Sequence, residues 1–428
     1  MKTICLKGAR IIDPSIESDE KRDIYFRDNK IISPRDAKNI EYIDVTGKII
    51  FPGLVDLRCH INDLSGGNGE NIFSVTRAAA AGGYSTVVLM PNLNPIPDNP
   101  ATIQFIKDQI KKDACINVKL TGCLTKGSNG KVLAPLGSLK NAGVVAITDS
   151  PLSPQNNQIF CKAVEYASMF DLPVIDLPRD LSLSKEGNAH DGPTALKMGL
   201  GGYPRIAEEL FVQRAISTSR SLGTKVHLSS ISSHGSVDMI KDAKHKGVMI
   251  TADVSPQHLA LTETKISNYD TNFKTTPPLR EEEDKKYLIE GLIDGTIDCI
   301  ASAHEPVKEY EKNVEYDLAP SGVTSLETAF NISLKVLSKH PKFTWINLLK
   351  FMSLRPSEII KIQGGSLQVD NIANITIFDP LKKWNFISST GKSRAFNTPF
   401  NNSQFTGKVI KTYVNGVVTQ NDKIKQNN

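Results

Sequence analysis

Residues 51–60 read Phe-Pro-Gly-Leu-Val-Asp-Leu-Arg-Cys-His, an apolar run that ends in a polar cluster. Had the run closed on His-x-His, two imidazoles two residues apart would project from one side of the chain and grip a metal ion together. The first of those positions is Arg58, a permanent cation with no lone pair to offer a metal. The chemistry open to this stretch therefore depends on which other side chains the fold brings to His60. Cys59 points to the opposite face of the extended chain and is expected to be a packed thiol.

The elements that must position these residues recur along the chain. Apolar, β-like runs stand at 54–57, 86–90, 118–122, 144–148, 173–176, 225–228, 248–252 and 297–301. Helical stretches such as 72–81, 159–170, 207–222 and 236–246 lie between them. Eight strands alternating with helices predict a parallel (β/α)8 barrel. In such a barrel the chemistry belongs at the C-terminal ends of the strands. Just past the runs lie Arg58, Cys59 and His60; Asn92 and Asn94; Asp149 and Ser150; Leu177 and Arg179; Ser229 and Ser230; His258; and Ala303 and His304. These ends are polar but poor in metal ligands. The first 50 residues alternate short apolar runs with turn residues, and a similar pattern returns at 374–378 and 408–418. Residues 1–50 and 363–428 are thus expected to form a small β domain flanking a barrel over 51–362.

Several segments carry a resemblance. Residues 51–60, 86–98 (Thr-Val-Val-Leu-Met-Pro-Asn-Leu-Asn-Pro-Ile-Pro-Asp), 125–130, 165–176, 269–280 (Tyr-Asp-Thr-Asn-Phe-Lys-Thr-Thr-Pro-Pro-Leu-Arg), 294–304, 322–329 and 397–400 resemble the long-chain dihydroorotases of the amidohydrolase superfamily. The resemblance implies a barrel flanked by a β domain from both termini. It also implies the reversible cyclisation of N-carbamoyl-aspartate to dihydroorotate, carried by zinc and a metal-bound hydroxide. Such chemistry needs a Lewis acid to polarise an unreactive amide and to bring the pKa of water down to about 7. The family places two His after the first strand, a bridging Asp or carboxylated Lys after the fourth, a His after each of the fifth and sixth, and a catalytic Asp after the eighth.

Carried over position by position, this chain offers Arg58, His60, Asp149, Leu177, Ser230 and Ala303. Arg58, Leu177, Ser230 and Ala303 replace the family's groups with residues that are not useful ligands. His60 and Asp149 remain as weak metal candidates, short of the three protein ligands of a usual catalytic zinc site. Asn94 and His304 are retained, whereas Asn62 and Thr276 stand where the family has an Arg and an Asn for the substrate. His60 is expected to be a hydrogen-bonded residue at a strand end. Asp149 could bind a cation or pair with Arg58 across the barrel mouth. His227 is expected to pack in or beside the barrel, and His258 and His304 to be hydrogen-bonded relics. The Gly66–Gly69 segment reads as a loop over the barrel mouth.

The resemblance implies a pseudoenzyme with no cofactor, most like the non-catalytic dihydroorotase homologue that assembles with the aspartate carbamoyltransferase catalytic chain in an oligomer. The competing expectation is an active, zinc-dependent amidohydrolase with a remodelled site of His60, Asp149 and His304. Composition bounds the rest. Hydrophobic residues at 39% and charged residues at 23% describe a globular chain. No apolar run approaches the roughly 18 residues of a membrane span. A net charge of +5 with no basic and aromatic stripe speaks against nucleic acid. The start lacks a signal-peptide core and the six cysteines lack a CxxC pair, so free thiols and a cytoplasmic setting are expected.

Overall fold

The computed structural model describes residues 2–61, 64, 69–185 and 187–419. Eight parallel strands form one sheet in chain order: Leu54–Cys59, Tyr84–Leu89, Asn117–Cys123, Ala146–Thr148, Val174–Asp176, Val226–Leu228, Ile250–Val254 and Cys299–Ile300. Each falls on one of the eight runs expected from the sequence. The first and last strands meet through a bridge between Cys59 and His304, where the His60 N–H donates to the His304 carbonyl at 2.8 Å. The ring is thus nearly closed, and its strands are buried on both faces, as in Tyr84–Leu89, where every residue is buried.

The connecting helices have local reasons to start and stop. Ile72–Ala81 begins at a capping box in which Asn71 and Ser74 satisfy each other's backbone N–H groups. Ser233 caps His234–His245 by accepting from the Ser236 N–H. Ile206–Leu222 stops at Gly223, whose φ of 59° suits glycine. The acidic cluster Glu281–Asp284 sits at the start of Glu282–Ile293, where negative charge meets the positive end of the helix dipole.

Both chain ends share a second sheet. Ile49–Pro52 pairs with Thr3–Asp13 on one side and antiparallel with Ile375–Phe386 on the other, which in turn pairs with Ser403–Val414. The sheet takes in Phe51 and Pro52, so the chain leaves it after residue 52, past the expected limit at residue 50. It joins the barrel through a cluster of tilted and edge-to-face rings, Phe51, Phe330 and Phe378, with centroids 5.2–6.2 Å apart. Thr376 and Thr412 add bonds of 2.8 Å to the Gly83 and Ala80 carbonyls. Among the described residues no helix is long and apolar enough to cross a membrane.

Candidate functional site

The strand ends bring Arg58, His60, Ser230 and His304 to the barrel mouth, all of them buried. The Arg58 guanidinium reaches across the ring. Its Nη1 donates to Ser230 Oγ, its Nη2 to the Thr276 carbonyl at 3.4 Å, and its Nε lies 3.4 Å from His60 Nε2. Its carboxylate neighbour is Glu305, 3.9 Å away. The expected alternative of an Arg58–Asp149 pair is therefore corrected. Asp149 instead accepts from the Leu124 and Thr125 N–H groups at 2.9 and 3.0 Å and from the Thr125 hydroxyl at 2.5 Å. It clamps the loop after the third strand. Burial pushes its carboxyl up, and the Thr125 and Leu124 bonds pull it back.

His60 contacts Asn92, with Nδ1 and Oδ1 2.6 Å apart. An amide oxygen can only accept, so Nδ1 carries the proton and the Nε2 lone pair faces the Arg58 N–H. Burial, and then Arg58, push the ring's pKa down to about 3. His304 has the opposite tautomer: Nδ1 accepts from the Ser325 N–H at 3.1 Å. Its Nε2 is buried with no hydrogen-bond partner among the described residues, and burial followed by His60 lowers its pKa to about 3.

The remaining candidates divide. Leu177 is buried just past the fifth strand and offers no polar atom. Ala303 is half-buried. Ser230 and Ala303 both adopt left-handed backbone, with φ of 57° and 50°. Asp, Asn and His enter that region several times more readily than Ala does. Asn94 is exposed, and the amide in contact with His60 is that of Asn92. Asn62 and most of Gly66–Gly69 lie outside the described residues. His227 is buried, bonded to Thr251 at 2.9 Å and to Asp253 at 3.0 Å. His258 is held between Ser255 and the Pro278 carbonyl, and Cys59 is fully buried. Sequence reasoning missed Glu305 and the Asp56–Ser302 bonds that tie strand one to strand eight. Position after the eighth run was the available signal for Glu305.

One family model, described as Dihydro-orotase-like, matches residues 47–236, and another, described as Amidohydrolase family, matches residues 199–419. A dihydroorotase of Endomicrobium trichonymphae is 38% identical over 412 residues, covering 96% of this chain and 98% of its own. One of Thermoanaerobacter sp. (strain X514) is 39% identical over 418 residues, with 96% of each chain covered. The chain belongs to the dihydroorotase family. Its fold is that of the L-hydantoinase (dihydropyrimidinase) from Arthrobacter aurescens, with a TM-score of 0.87 at 21% identity over 97% of this chain and 95% of that one.

Dihydroorotases serve pyrimidine biosynthesis, and the resemblance above assigns them zinc. The donors at this barrel mouth do not fit such an ion. The Nε2 lone pair of His60 faces a guanidinium, and a second cation at that lone pair would have no room and strong repulsion. Asp149 is spent on two backbone N–H groups and the Thr125 hydroxyl. Among the described residues His60, Asp149 and His304 do not bring three donor atoms within 4.8 Å of one another, which corrects the expected remodelled trio. His190, Glu281 and Asp284 do converge in that way. There, however, the Arg280 N–H donates to His190 Nδ1 at 3.0 Å, which puts the ring's proton on Nε2, and Arg205 binds both acids. That cluster is an ion-pair knot.

Proposed function

We propose that this dihydroorotase-family protein does not run the hydrolytic reaction and serves pyrimidine biosynthesis as an assembly partner. Its partner would be the catalytic chain of aspartate carbamoyltransferase, in a cytoplasmic oligomer. The observation that carries the reading is the buried Arg58 guanidinium, bonded to Ser230 and lying against His60 at the strand ends. A guanidinium holds charge and cross-links strands, but it has no lone pair and does not ionise water. Ala303 supplies no carboxylate to move a proton. Retention of a whole barrel around such a centre is what a scaffold requires, since assembly uses the outer surface.

Purified protein should keep no stoichiometric zinc after dialysis against the metal and should not turn over dihydroorotate. It should also co-purify with the carbamoyltransferase catalytic chain from its host. A second reading, an active dihydroorotase, is favoured by the identity of 38–39% to relatives of that name. Stoichiometric zinc together with dihydroorotate hydrolysis would establish it and end the scaffold reading. Arg58→His, Leu177→His, Ser230→His and Ala303→Asp combined should restore zinc binding, because both left-handed positions receive residues suited to them.

A further inference from the structure

A cavity of about 410 Å³ lies between the terminal sheet and barrel residues that include Ala81, Glu327 and Asn331. Its origin is a register slip. Ile375–Phe386 pairs with Ser403–Val414 as Asp379 opposite Lys408 and then Lys383 opposite Thr406, so the first strand bulges between Asp379 and Lys383. Lys382 within the bulge and Trp384, Asn385 and Phe386 beyond it line the cavity, with Lys408 and Ile410 beside them on the partner strand. Glu327 and the turn through Thr390 form the opposite wall.

The lining combines an aromatic ring with lysines. Trp384 is held in place, since its Nε1 donates to the Gly407 carbonyl at 2.8 Å, and the Lys408 ammonium sits 4.9 Å from the ring centroid. Lys382, Lys392 and Lys408 face a single carboxylate, Glu327. That carboxylate is turned to the Lys392 and Ser393 N–H groups at 2.7 and 3.3 Å. Among the described residues neither Lys382 nor Lys408 has a carboxylate at ion-pair distance, so the wall keeps an excess of positive charge. Cations that converge on a concave surface bind phosphate more strongly than the same cations spread over a convex one. Asn385 and Thr390 add polar groups at the rim, and Ile387, 43% exposed, adds an apolar lip. The volume falls within the roughly 300–1,000 Å³ of small-molecule sites.

We infer that this cavity binds a nucleoside monophosphate or a close chemical relative, with the phosphate on Lys382 and Lys408 and the planar ring against Trp384 and Ile387. The protein has two tryptophans, so Trp345→Phe leaves Trp384 as the sole reporter. Titrating that variant with UMP or AMP should quench its fluorescence saturably. Uridine, ribose 5-phosphate and inorganic phosphate should each bind about tenfold or more weakly, because each lacks one of the two contacts. Lys382→Glu should weaken the nucleotide about tenfold or more without changing the far-UV circular dichroism. Calorimetric titration of the unmodified protein repeats the measurement free of the Trp345 change. Absence of saturation by any nucleotide up to about 10 mM, or equal affinity in the Lys382→Glu variant, would overturn the site. Inorganic phosphate binding as tightly as UMP would overturn the ligand class.

Discussion

The Arg58–Glu305 pair gives a quantitative test of the idea that a guanidinium now holds the barrel mouth together. At 3.9 Å, two unit charges attract by about 4 kcal/mol at an effective dielectric near 20. Burial opposes this by pushing the Glu305 carboxyl up, with Arg58 and Lys312 pulling it down. Glu305→Gln in the natural chain should therefore destabilise by about 2–4 kcal/mol, because it leaves a buried guanidinium without its counter-charge. Arg58→Met keeps most of the side-chain volume but strands the carboxylate and the Ser230 hydroxyl, at a cost of about 3 kcal/mol. With Arg58 already replaced by Met, adding Glu305→Gln should cost far less than in the natural chain, since the carboxylate it removes then keeps Lys312 but not Arg58 as a cationic neighbour. Urea unfolding of the four proteins closes the cycle. A coupling below about 0.5 kcal/mol would mean that the two groups ignore each other, and the proposed role of Arg58 would fail.

Asp149→Asn should cost about 1–3 kcal/mol through the Leu124–Thr125 clamp while leaving zinc content unchanged; a loss of bound metal would show that Asp149 is a ligand after all. Ala303→Gly should stabilise by about 0.5–1 kcal/mol in the same unfolding assay, because glycine accepts a φ of 50° without a Cβ clash. A pH dependence should come from Asp284. Burial alone would raise its carboxyl, but Arg205 and the His234 N–H hold it below the ordinary range. Its folded pKa being depressed, its contribution is complete above the unfolded value and is lost as pH falls. The stability gap between the natural chain and Asp284→Asn should thus shrink from about pH 6 to about pH 3, and a gap that widens on acidification would contradict the sign.

The eight strands were legible because a parallel barrel buries both faces of each strand and so leaves continuous apolar runs. Strand ends were legible for the same reason, since polarity resumes where burial stops. Partner choice at those ends was not. Ser230 lies 172 residues from Arg58, and nothing local distinguishes a hydroxyl awaiting a guanidinium from one awaiting water. Asp149 shows the converse problem. Its partners, Leu124 and Thr125, offer backbone N–H groups that every residue but proline possesses, so sequence could not separate a loop clamp from a cross-barrel ion pair. Asn92 and Asn94 both follow the second run, and their spacing alone does not tell that the amide in contact with His60 is that of Asn92.

Backbone conformation adds what side-chain identity hides. Ser230 and Ala303, two of the four positions at which the resemblance implies replaced polar groups, have left-handed φ values that favour His, Asn and Asp. A small residue gains nothing from that conformation and bears about 1 kcal/mol or more of strain for it. The strain persists because the surrounding strand ends fix the backbone: the Ser230 N–H donates to Asp253 at 2.7 Å, and the His304 N–H to Ser302 at 3.1 Å. Side chains at these ends can change one at a time, whereas the backbone that aims them is shared with the closure of the barrel. Removing a dication from such a ring would leave converging dipoles and acids uncompensated. A single long cation rooted on the first strand reaches the sixth through Ser230 and the Thr275–Pro277 turn through the Thr276 carbonyl. Arg58 thereby supplies both positive charge and cross-links at the barrel mouth.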